Sequence, residues 1–435
     1  MKVAFCTLGC KVNQYETDLM IKKFEDEKYE IVDFEEKSDI YVINSCSVTN
    51  LSTRKTRQQL SKAKKNGGIV VLCGCYAQEI KDKYTTLLNV DVIIGNEEKE
   101  NIVDIVNNYI KNNDIHKQNN IVIKVSDISK IKRYTEKSIL DKGINIRESV
   151  KIEDGCNNFC SYCIIPYVRG RVRSRDIDDV IKEVENLVKT GVGEVVLVGI
   201  EIASYGKDLD DNVTLVDVIE RVNEVDGLKR IRLGSIEPRV LTLENIKRMA
   251  NIDKLCPHFH ISVQSLDNSV LKRMNRKYTA EDIFEITSNL KKYFKDVSFT
   301  CDIIVGFPGE TDEEFNNTIN GVKKVGFYEV HVFKYSKRKW TRAATMENQV
   351  DGNVAIARSK KLLDIAKKQK NEYMKLYLGK KMNVLFEEYK DGYLYGYTKN
   401  YIKVKVEGDK KLWGLQEEIE LDSIEEDLIL GNISS

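Results

Sequence analysis

The first 110 residues alternate between short apolar runs and longer stretches whose apolar positions recur every three or four residues. Val3–Thr7, Ile40–Ile43, Ile69–Leu72 and Val92–Ile94 have the length and continuous apolar character of buried strands. Between them, Tyr15, Leu19, Met20 and Phe24 mark a helical face, and further helices are expected over Thr53–Lys65, after Tyr76 and over Ile102–Ile110. Strands joined by helical crossovers predict a parallel sheet covered on both faces. From Lys111 to Ile146 the pattern fades into a polar, Asn- and Lys-rich stretch, read as a linker with one strand over Ile121–Val125. Strand-like runs then return at Val150–Glu153, Glu194–Val198, Arg230–Leu233, Phe259–Val263, Ser298–Val305 and Glu329–Phe333, with helices such as Ile177–Lys189 between them. Gly306–Glu310 reads as a turn, with Thr311 capping the next helix. Six such units are fewer than the eight of a closed barrel and predict an open, partial one. A long helix over Asn353–Tyr377 leads into a β-rich tail, where Asp391-Gly392 signals a hairpin turn. The expected fold class is therefore α/β, in four parts. Residues 1–110 form an N-terminal parallel sheet domain, 111–146 a linker, 147–370 a partial (βα)6 barrel and 371–435 a small β-barrel.

Composition changes this picture in two ways. Charged residues make up 31% of the 435, but the formal net charge is only +1, so any surface for nucleic acid must be a local patch. Met1-Lys2 runs directly into strand-like Val3–Phe5 with no secretory core, and no apolar stretch approaches the roughly 20 residues of a membrane span. A cytoplasmic protein with no membrane partner is expected. In such a chain, ten cysteines favour metal or redox chemistry over disulfides.

The chemistry concentrates in Asp154-Gly155-Cys156-Asn157-Asn158-Phe159-Cys160-Ser161-Tyr162-Cys163. Three thiols on one short loop can reach one soft metal centre, most often an iron–sulfur cluster. Three protein ligands leave one iron of a cubane open, and an open position marks a reactive metal site. A zinc site lacking a ligand, or a disulfide with a spare thiol, are the alternatives. Cys10, Cys46 and Cys75 each follow a strand, and a parallel sheet brings such positions to one edge. The alternative for them is three small buried hydrophobes, which is the preferred reading for Cys6, Cys73, Cys256 and Cys301. Arg169, Arg171, Arg173 and Arg175 alternate, so an extended run would aim four guanidinium groups to one side, as phosphate clamps. A second basic cluster spans Lys272–Lys277. In the tail, Tyr389, Tyr393, Tyr395, Tyr397 and Tyr401 interleave with Lys390, Lys399, Lys403 and Lys405, a pattern suited to nucleic acid, although tyrosine favours strands in any case. Gly199, Ser235, Glu237, Ser262, Gln264 and Asp302 end strands of the partial barrel, each either a ligand contact or a turn residue.

The pattern C-x3-C-x-aromatic-C resembles the radical S-adenosylmethionine (SAM) enzymes. The resemblance implies that Cys156, Cys160 and Cys163 hold a 4Fe-4S cluster. It places Tyr162 near the adenine of SAM, and Gly199, Ser235, Glu237, Ser262 and Gln264 among the SAM contacts. The stretches Leu8–Asn13, Asn44–Thr49 and Gly74–Gln78 look like the N-terminal domain of the methylthiotransferases. That family implies a second 4Fe-4S cluster on Cys10, Cys46 and Cys75, and makes the tail an RNA-binding TRAM domain. Thr7–Glu16, Asp154–Cys160, Leu271–Arg276 and Gly396–Tyr401 are most similar to the group acting on threonylcarbamoyladenosine in tRNA, the MtaB group. The implied reaction adds a methylthio group to carbon 2 of that nucleoside at tRNA position 37, using SAM and an external flavodoxin- or ferredoxin-like electron donor. Isopentenyladenosine in tRNA, or a ribosomal protein side chain, would be the alternative substrates. Arg169, Arg171, Arg173, Arg175, Arg338, Tyr397 and Lys399 are the expected RNA contacts. Two positions depart from the family pattern: Trp340 and Leu266 stand where glycine is expected, and because a bulky ring cannot follow a glycine into positive φ cheaply, the local loop geometry there is expected to differ.

Overall fold

The computed structural model describes residues 1–80, 89–112, 121–136, 140–141, 143 and 145–433. The chain folds as two compact units. One comprises residues 1–140, 153–175 and 336–344; the other comprises 141–152, 176–335 and 345–435.

The first unit is built on a six-stranded parallel sheet. Its spatial order is Glu30–Val32, Lys2–Thr7, Ile40–Ser45, Ile69–Gly74, Val92–Ile94, Val122–Lys124. Every residue of Ile40–Ser45 is buried, as a strand covered on both faces requires. Met20 and Phe24 of the helix Lys11–Asp26 pack with Val42 and Val71 on one face; Leu60 and Ala63 of Asn50–Lys65 pack with Tyr41, Ile43 and Leu72 on the other. Two edge strands refine the expectation. Glu30–Val32 is too short and too exposed to show a pattern. Val122–Lys124 pairs with Val92–Ile94, so the stretch read as a linker supplies the sheet's last strand. The cysteine loop, residues 153–175, also belongs to this unit, although its place in the chain suggests the barrel.

The second unit carries all six expected barrel strands, with helices between them. Arg147–Lys151, Glu194–Val198 and Arg230–Leu233 form one parallel sheet; Ser235–Ile236, His258–Gln264, Ser298–Val305 and Glu329–Lys334 form another. The chain steps between them at Gly234, whose N–H still donates to Leu197 O at 2.9 Å while Ser235 already pairs with His260. Among the described residues no ladder joins Arg147–Lys151 to Glu329–Lys334, so the barrel is open. The helix Asp312–Val325 starts with the expected Thr311, which forms a capping box with Glu314.

Residues 381–433 close a five-stranded barrel around Phe386, Leu394, Val404, Ile419, Leu421 and Ile429. Asp391 (φ 51°) and Gly392 (φ 84°) give the two positive φ values of a type I′ hairpin. This small barrel docks on the edge of the (βα)6 wall where the strands begin. Arg230 donates to Tyr397 O at 2.6 Å, Arg232 to Lys399 O at 3.1 Å and Ser298 Oγ to Asn400 O at 2.6 Å. Glu194, fully buried, neutralises Arg232 at 2.6 Å. Among the described residues no helix is long and apolar enough to cross a membrane.

Candidate metal and cofactor sites

Cys10, Cys46 and Cys75 follow three adjacent strands of the first unit's sheet, as the topology predicts. Their turns interlock. Asn13 Nδ2 donates to Leu8 O (2.8 Å) and Ser45 O (3.0 Å), and Asn44 Nδ2 donates back to Asn13 O (2.8 Å). Glycine is required at two of the turns. Gly9 has φ 125°, and a Cβ there would lie 3.0 Å from Cys46 Cβ; Gly74 has φ 92°, and a Cβ would strike Ser45 O at 2.5 Å. The thiols feel one another. Burial chiefly raises Cys10 above the usual thiol range, and Cys75 adds to it. Cys46 is pushed up to about 11 by burial, then by Cys75 and Cys10. Cys10 and Cys46, held toward the protonated form by burial and a neighbouring thiol, would be drawn to the thiolate form by a cationic iron–sulfur core. Among the described residues no three His, Cys, Asp or Glu side chains converge on one ion position. Cys73 is buried in its strand with Sγ 3.6 Å from Ile43 O, consistent with a core role.

The second triad sits on a loop clamped at its base. Glu153–Asp154 pairs antiparallel with Arg173–Ser174, and Cys156 N donates to Gly170 O at 3.1 Å. Gly155 (φ 90°) is obligatory, because a Cβ would stand 1.9 Å from Arg171 O. Inside the loop Cys163 N donates to Cys160 O (3.0 Å) and Asn158 N to Cys156 Sγ (3.4 Å), with Cys156 and Cys160 buried and Tyr162 and Cys163 partly exposed. The tract 336–344 lies against it, with Ala343 N donating to Ser161 O at 2.7 Å. Within that tract Trp340 adopts φ 67° despite its bulk, so the glycine-like backbone is kept; the residue is 37% exposed, with Lys339 Nζ 4.5 Å above its ring. Leu266 in the second unit is accommodated differently: it packs on Gly321, where a Cβ would lie 2.6 Å from Leu266 Cβ.

The arginine run does not aim four guanidinium groups to one side. Arg169 ends the short helix Ile165–Val168, Gly170 turns the chain with φ 78°, and only Arg173–Ser174 is a strand. Arg169, Arg173 and Arg175 are therefore buried and cannot clamp a surface phosphate. Arg173 NH1 donates to the carbonyls of Arg169 (2.8 Å) and Arg171 (2.9 Å), and Arg175 NH1 to Tyr15 Oη (3.2 Å). Arg171 alone of the four is exposed, over the Phe159 ring at 4.5 Å. Arg338 is also mostly buried, donating to Val48 O (3.1 Å) and Ser336 Oγ (3.1 Å) in the turn that follows Cys46.

In the second unit Gly199, Glu237 and Gln264 stand at or just beyond strand C-termini, Ser262 lies two residues before one, and Ser235 opens the short strand Ser235–Ile236. Glu237 caps a short turn and accepts from Arg239 N (3.0 Å) and Nε (2.8 Å). Ser262 O accepts from Arg276 (2.6 Å) and Tyr278 Oη (2.7 Å), so part of the second basic cluster braces this edge. A bulge interrupts pairing between Ile261 and Gln264, and Gln264 has φ 68°. The pattern reading missed Glu201, two residues beyond Gly199. Burial, and then Glu237, push its carboxyl up to about 7. Because this folded-state value lies above the unfolded one, ionising Glu201 costs stability as pH rises from about 4.5 to 7. Glu201→Gln should match the parent near pH 4 and exceed it at pH 8 by on the order of 2 kcal/mol in chemical denaturation. An equal gain at both pH values would contradict this assignment.

Tyr397 and Lys399, expected on an RNA surface, lie instead in the seam within the second unit. The Tyr397 ring stacks on Tyr401 with centroids 4.8 Å apart and takes Arg147 at 4.9 Å, and Lys399 Nζ donates to Asp253 O at 3.1 Å. The strand alternates as expected, but its last residues are consumed by docking. Tyr393 and Tyr395, earlier on the same face, pair with Lys405 (4.6 Å) and Lys403 (5.6 Å).

Comparison with known proteins places these sites in context. Residues 150–321 match the profile of the radical SAM superfamily, and residues 2–95 that of an uncharacterized protein family, UPF0004. The chain is 40% identical to the threonylcarbamoyladenosine tRNA methylthiotransferase MtaB of Bacillus subtilis, over 95% of this chain and 92% of that one. It is 34% identical to MtaB of Aquifex aeolicus (95% and 98% covered). It is 37% identical to the tRNA-2-methylthio-N(6)-dimethylallyladenosine synthase of Lachnoclostridium phytofermentans (94% and 90%). Among solved structures, the radical SAM methyltransferase TsrM of Kitasatospora setae shares the fold, with TM-score 0.60 at 13% identity over 79% of this chain and 75% of that one.

Proposed function

This chain belongs to the radical SAM tRNA methylthiotransferases, and from that premise we propose that it adds a methylthio group to carbon 2 of N6-threonylcarbamoyladenosine at position 37 of tRNA. The observation that carries this reading is the pair of cysteine triads, each on glycine-dependent turns, in a chain with near full-length similarity to enzymes of that name. Cys156, Cys160 and Cys163 would hold one 4Fe-4S cluster and Cys10, Cys46 and Cys75 the other. When bound, the clusters and SAM supply the methylthio group and the one-electron chemistry that places it on an unactivated aromatic carbon. The residues of the chain bind, orient and shield. Tyr162 lines the loop beside the third thiol, while Gly199, Ser235, Glu237, Ser262 and Gln264 offer a polar strand-end edge for SAM. The electron comes from outside the chain, and we assign it to a flavodoxin- or ferredoxin-like donor. The same reading makes this a cytoplasmic protein, since its substrate is tRNA.

The substrate's appended group carries a carboxylate, which needs a cation. Arg171 and Arg338 remain the candidates; Arg173 is withdrawn because its guanidinium already has a carboxylate partner in Asp154, whereas the acceptors on Arg338 are neutral. For the tRNA body, the partly exposed alternation of Tyr393 and Tyr395 with Lys403 and Lys405, which is not used in docking, replaces Tyr397 and Lys399 as the contact surface. Lys403→Ala/Lys405→Ala should weaken tRNA binding and flatten its dependence on log salt by about 1 to 2. An unchanged slope would remove this face from the interface.

The functional reading is tested in cells. Nucleosides from tRNA of a strain lacking this protein should retain threonylcarbamoyladenosine and lose its 2-methylthio derivative, as read by mass spectrometry. Persistence of the derivative in that strain, with no second enzyme of this family present, would overturn the reading.

A further inference from the structure

Arg169 has no exposed side-chain surface, and no role assigned so far uses it. Its Nε donates to Cys75 Sγ at 3.2 Å. One terminal nitrogen donates to Asn13 Oδ1 (2.7 Å) and Glu16 Oε2 (3.0 Å), and the other to Glu16 Oε1 and Asp154 Oδ2 (3.2 Å). Glu16 is itself buried and also accepts from the buried Lys99. Asp154 lies two residues before Cys156, and its Oδ2 is also approached by Arg173 at 3.5 Å. Arg169 therefore touches a thiol of one triad, the asparagine that locks its turns, and the base of the loop that carries the other.

Stability alone is a poor reason for this arrangement. A buried ion network seldom outperforms apolar side chains of similar volume, because each charge loses its hydration. What an arginine adds, and a methionine would not, is a directed N–H and a positive charge on a sulfur. Hydrogen bonds to ligand sulfurs, and nearby positive charge, stabilise the reduced form of an iron–sulfur cluster and raise its potential. We propose that Arg169 is a positioning residue that poises the auxiliary cluster through Cys75, while its bond to Asp154 holds the Cys156 loop in register with that site. This rests on the reading that Cys10, Cys46 and Cys75 hold a cluster.

The test uses the full chain, anaerobically reconstituted and labelled with 15N-arginine. The reduced auxiliary cluster is the paramagnetic signal that added SAM leaves unperturbed. Electron–nuclear double resonance on that signal should show a 15N coupling and an exchangeable-proton coupling in the parent protein. Both should survive Arg338→Lys and disappear in Arg169→Lys. Arg169→Lys keeps a positive charge against Glu16 and Asp154 but loses the Nε–H, so a redox titration should move the potential of this signal to more negative values. Full iron with no 15N coupling in the parent, or an unchanged potential in an Arg169→Lys protein that keeps its iron, would overturn the proposal. If Arg169→Lys fails to hold iron, the parent spectrum decides alone. Only about four irons in the parent would instead refute the auxiliary cluster itself, a distinct failure.

Discussion

Replacing Cys156, Cys160 and Cys163 together with alanine should remove about half of the iron from the reconstituted protein, about four of about eight atoms, and abolish SAM cleavage to 5'-deoxyadenosine. Replacing Cys10, Cys46 and Cys75 should remove the other half and leave SAM cleavage measurable while ending methylthio transfer. The two outcomes differ because the triads stand on separate segments of the first unit, which meet at Arg169. One is a set of turns at the C-terminal edge of the sheet, locked by Asn13 and Asn44. The other is a loop clamped by its own two-stranded base. Loss of three thiolates from either cannot be made good by Cys6, Cys73, Cys256 or Cys301, because Cys73, Cys256 and Cys301 are buried in strands or core and Cys6 lies within a strand. Iron analysis with anaerobic SAM-cleavage assays reads both. An unmutated protein that never exceeds about four irons would contradict the pairing of triads with clusters.

Much of this was legible in the pattern of residues. Continuous apolar runs reveal parallel strands because both faces of such a sheet are buried, and the three cysteines beyond them share an edge for the same reason. Glu194–Val198, Arg230–Leu233 and Ser298–Val305 fall where their runs do. Of the edge strands, Glu30–Val32 was not legible, being three residues long with none buried, whereas the strand expected over Ile121–Val125 is present as Val122–Lys124; only its membership of the sheet was hidden by the polar stretch around it. The arginine run misleads because alternation means one face only in an extended chain, and Gly170 breaks this one. Its counter-charges, Glu16 and Asp154, lie far along the sequence from one another, so local pattern could not show that Arg169 is buried between them. Tyr397 and Lys399 mislead for a related reason. Tyrosines amid lysines mark an exposed strand face, but docking within the second unit depends on Arg147, Arg230 and Arg232, more than 150 residues away in sequence. Glu201 carries no motif and stands out only once Glu237 is folded beside it.

The second large effect concerns substrate choice. Threonylcarbamoyladenosine presents a carboxylate, a hydroxyl and a urea where isopentenyladenosine presents only hydrocarbon. A site that pairs the carboxylate leaves its own cation unpartnered when the apolar group enters, at a penalty of about 1–3 kcal/mol or more for a charged group, or roughly one to two orders of magnitude in kcat/KM. Of the two candidate cations, Arg338 reaches from the tract 336–344 to the turn after Cys46, mostly buried, where burial lowers its pKa and Glu79 and Cys46 partly offset that shift. Arg338→Ala should therefore lower turnover on threonylcarbamoyladenosine and narrow the discrimination without removing iron; Arg171→Ala is the parallel test. Full activity in both variants would mean that another group binds the carboxylate.

The most direct measurement of the central claim sets the two tRNAs side by side. Reconstituted protein with SAM and a reductant is given tRNA bearing threonylcarbamoyladenosine at position 37 and, separately, tRNA bearing isopentenyladenosine there, and 2-methylthio nucleosides are quantified by mass spectrometry. The account predicts methylthiolation of the first with at least about tenfold higher kcat/KM. Equal rates, or preference for the isopentenylated tRNA, would contradict it.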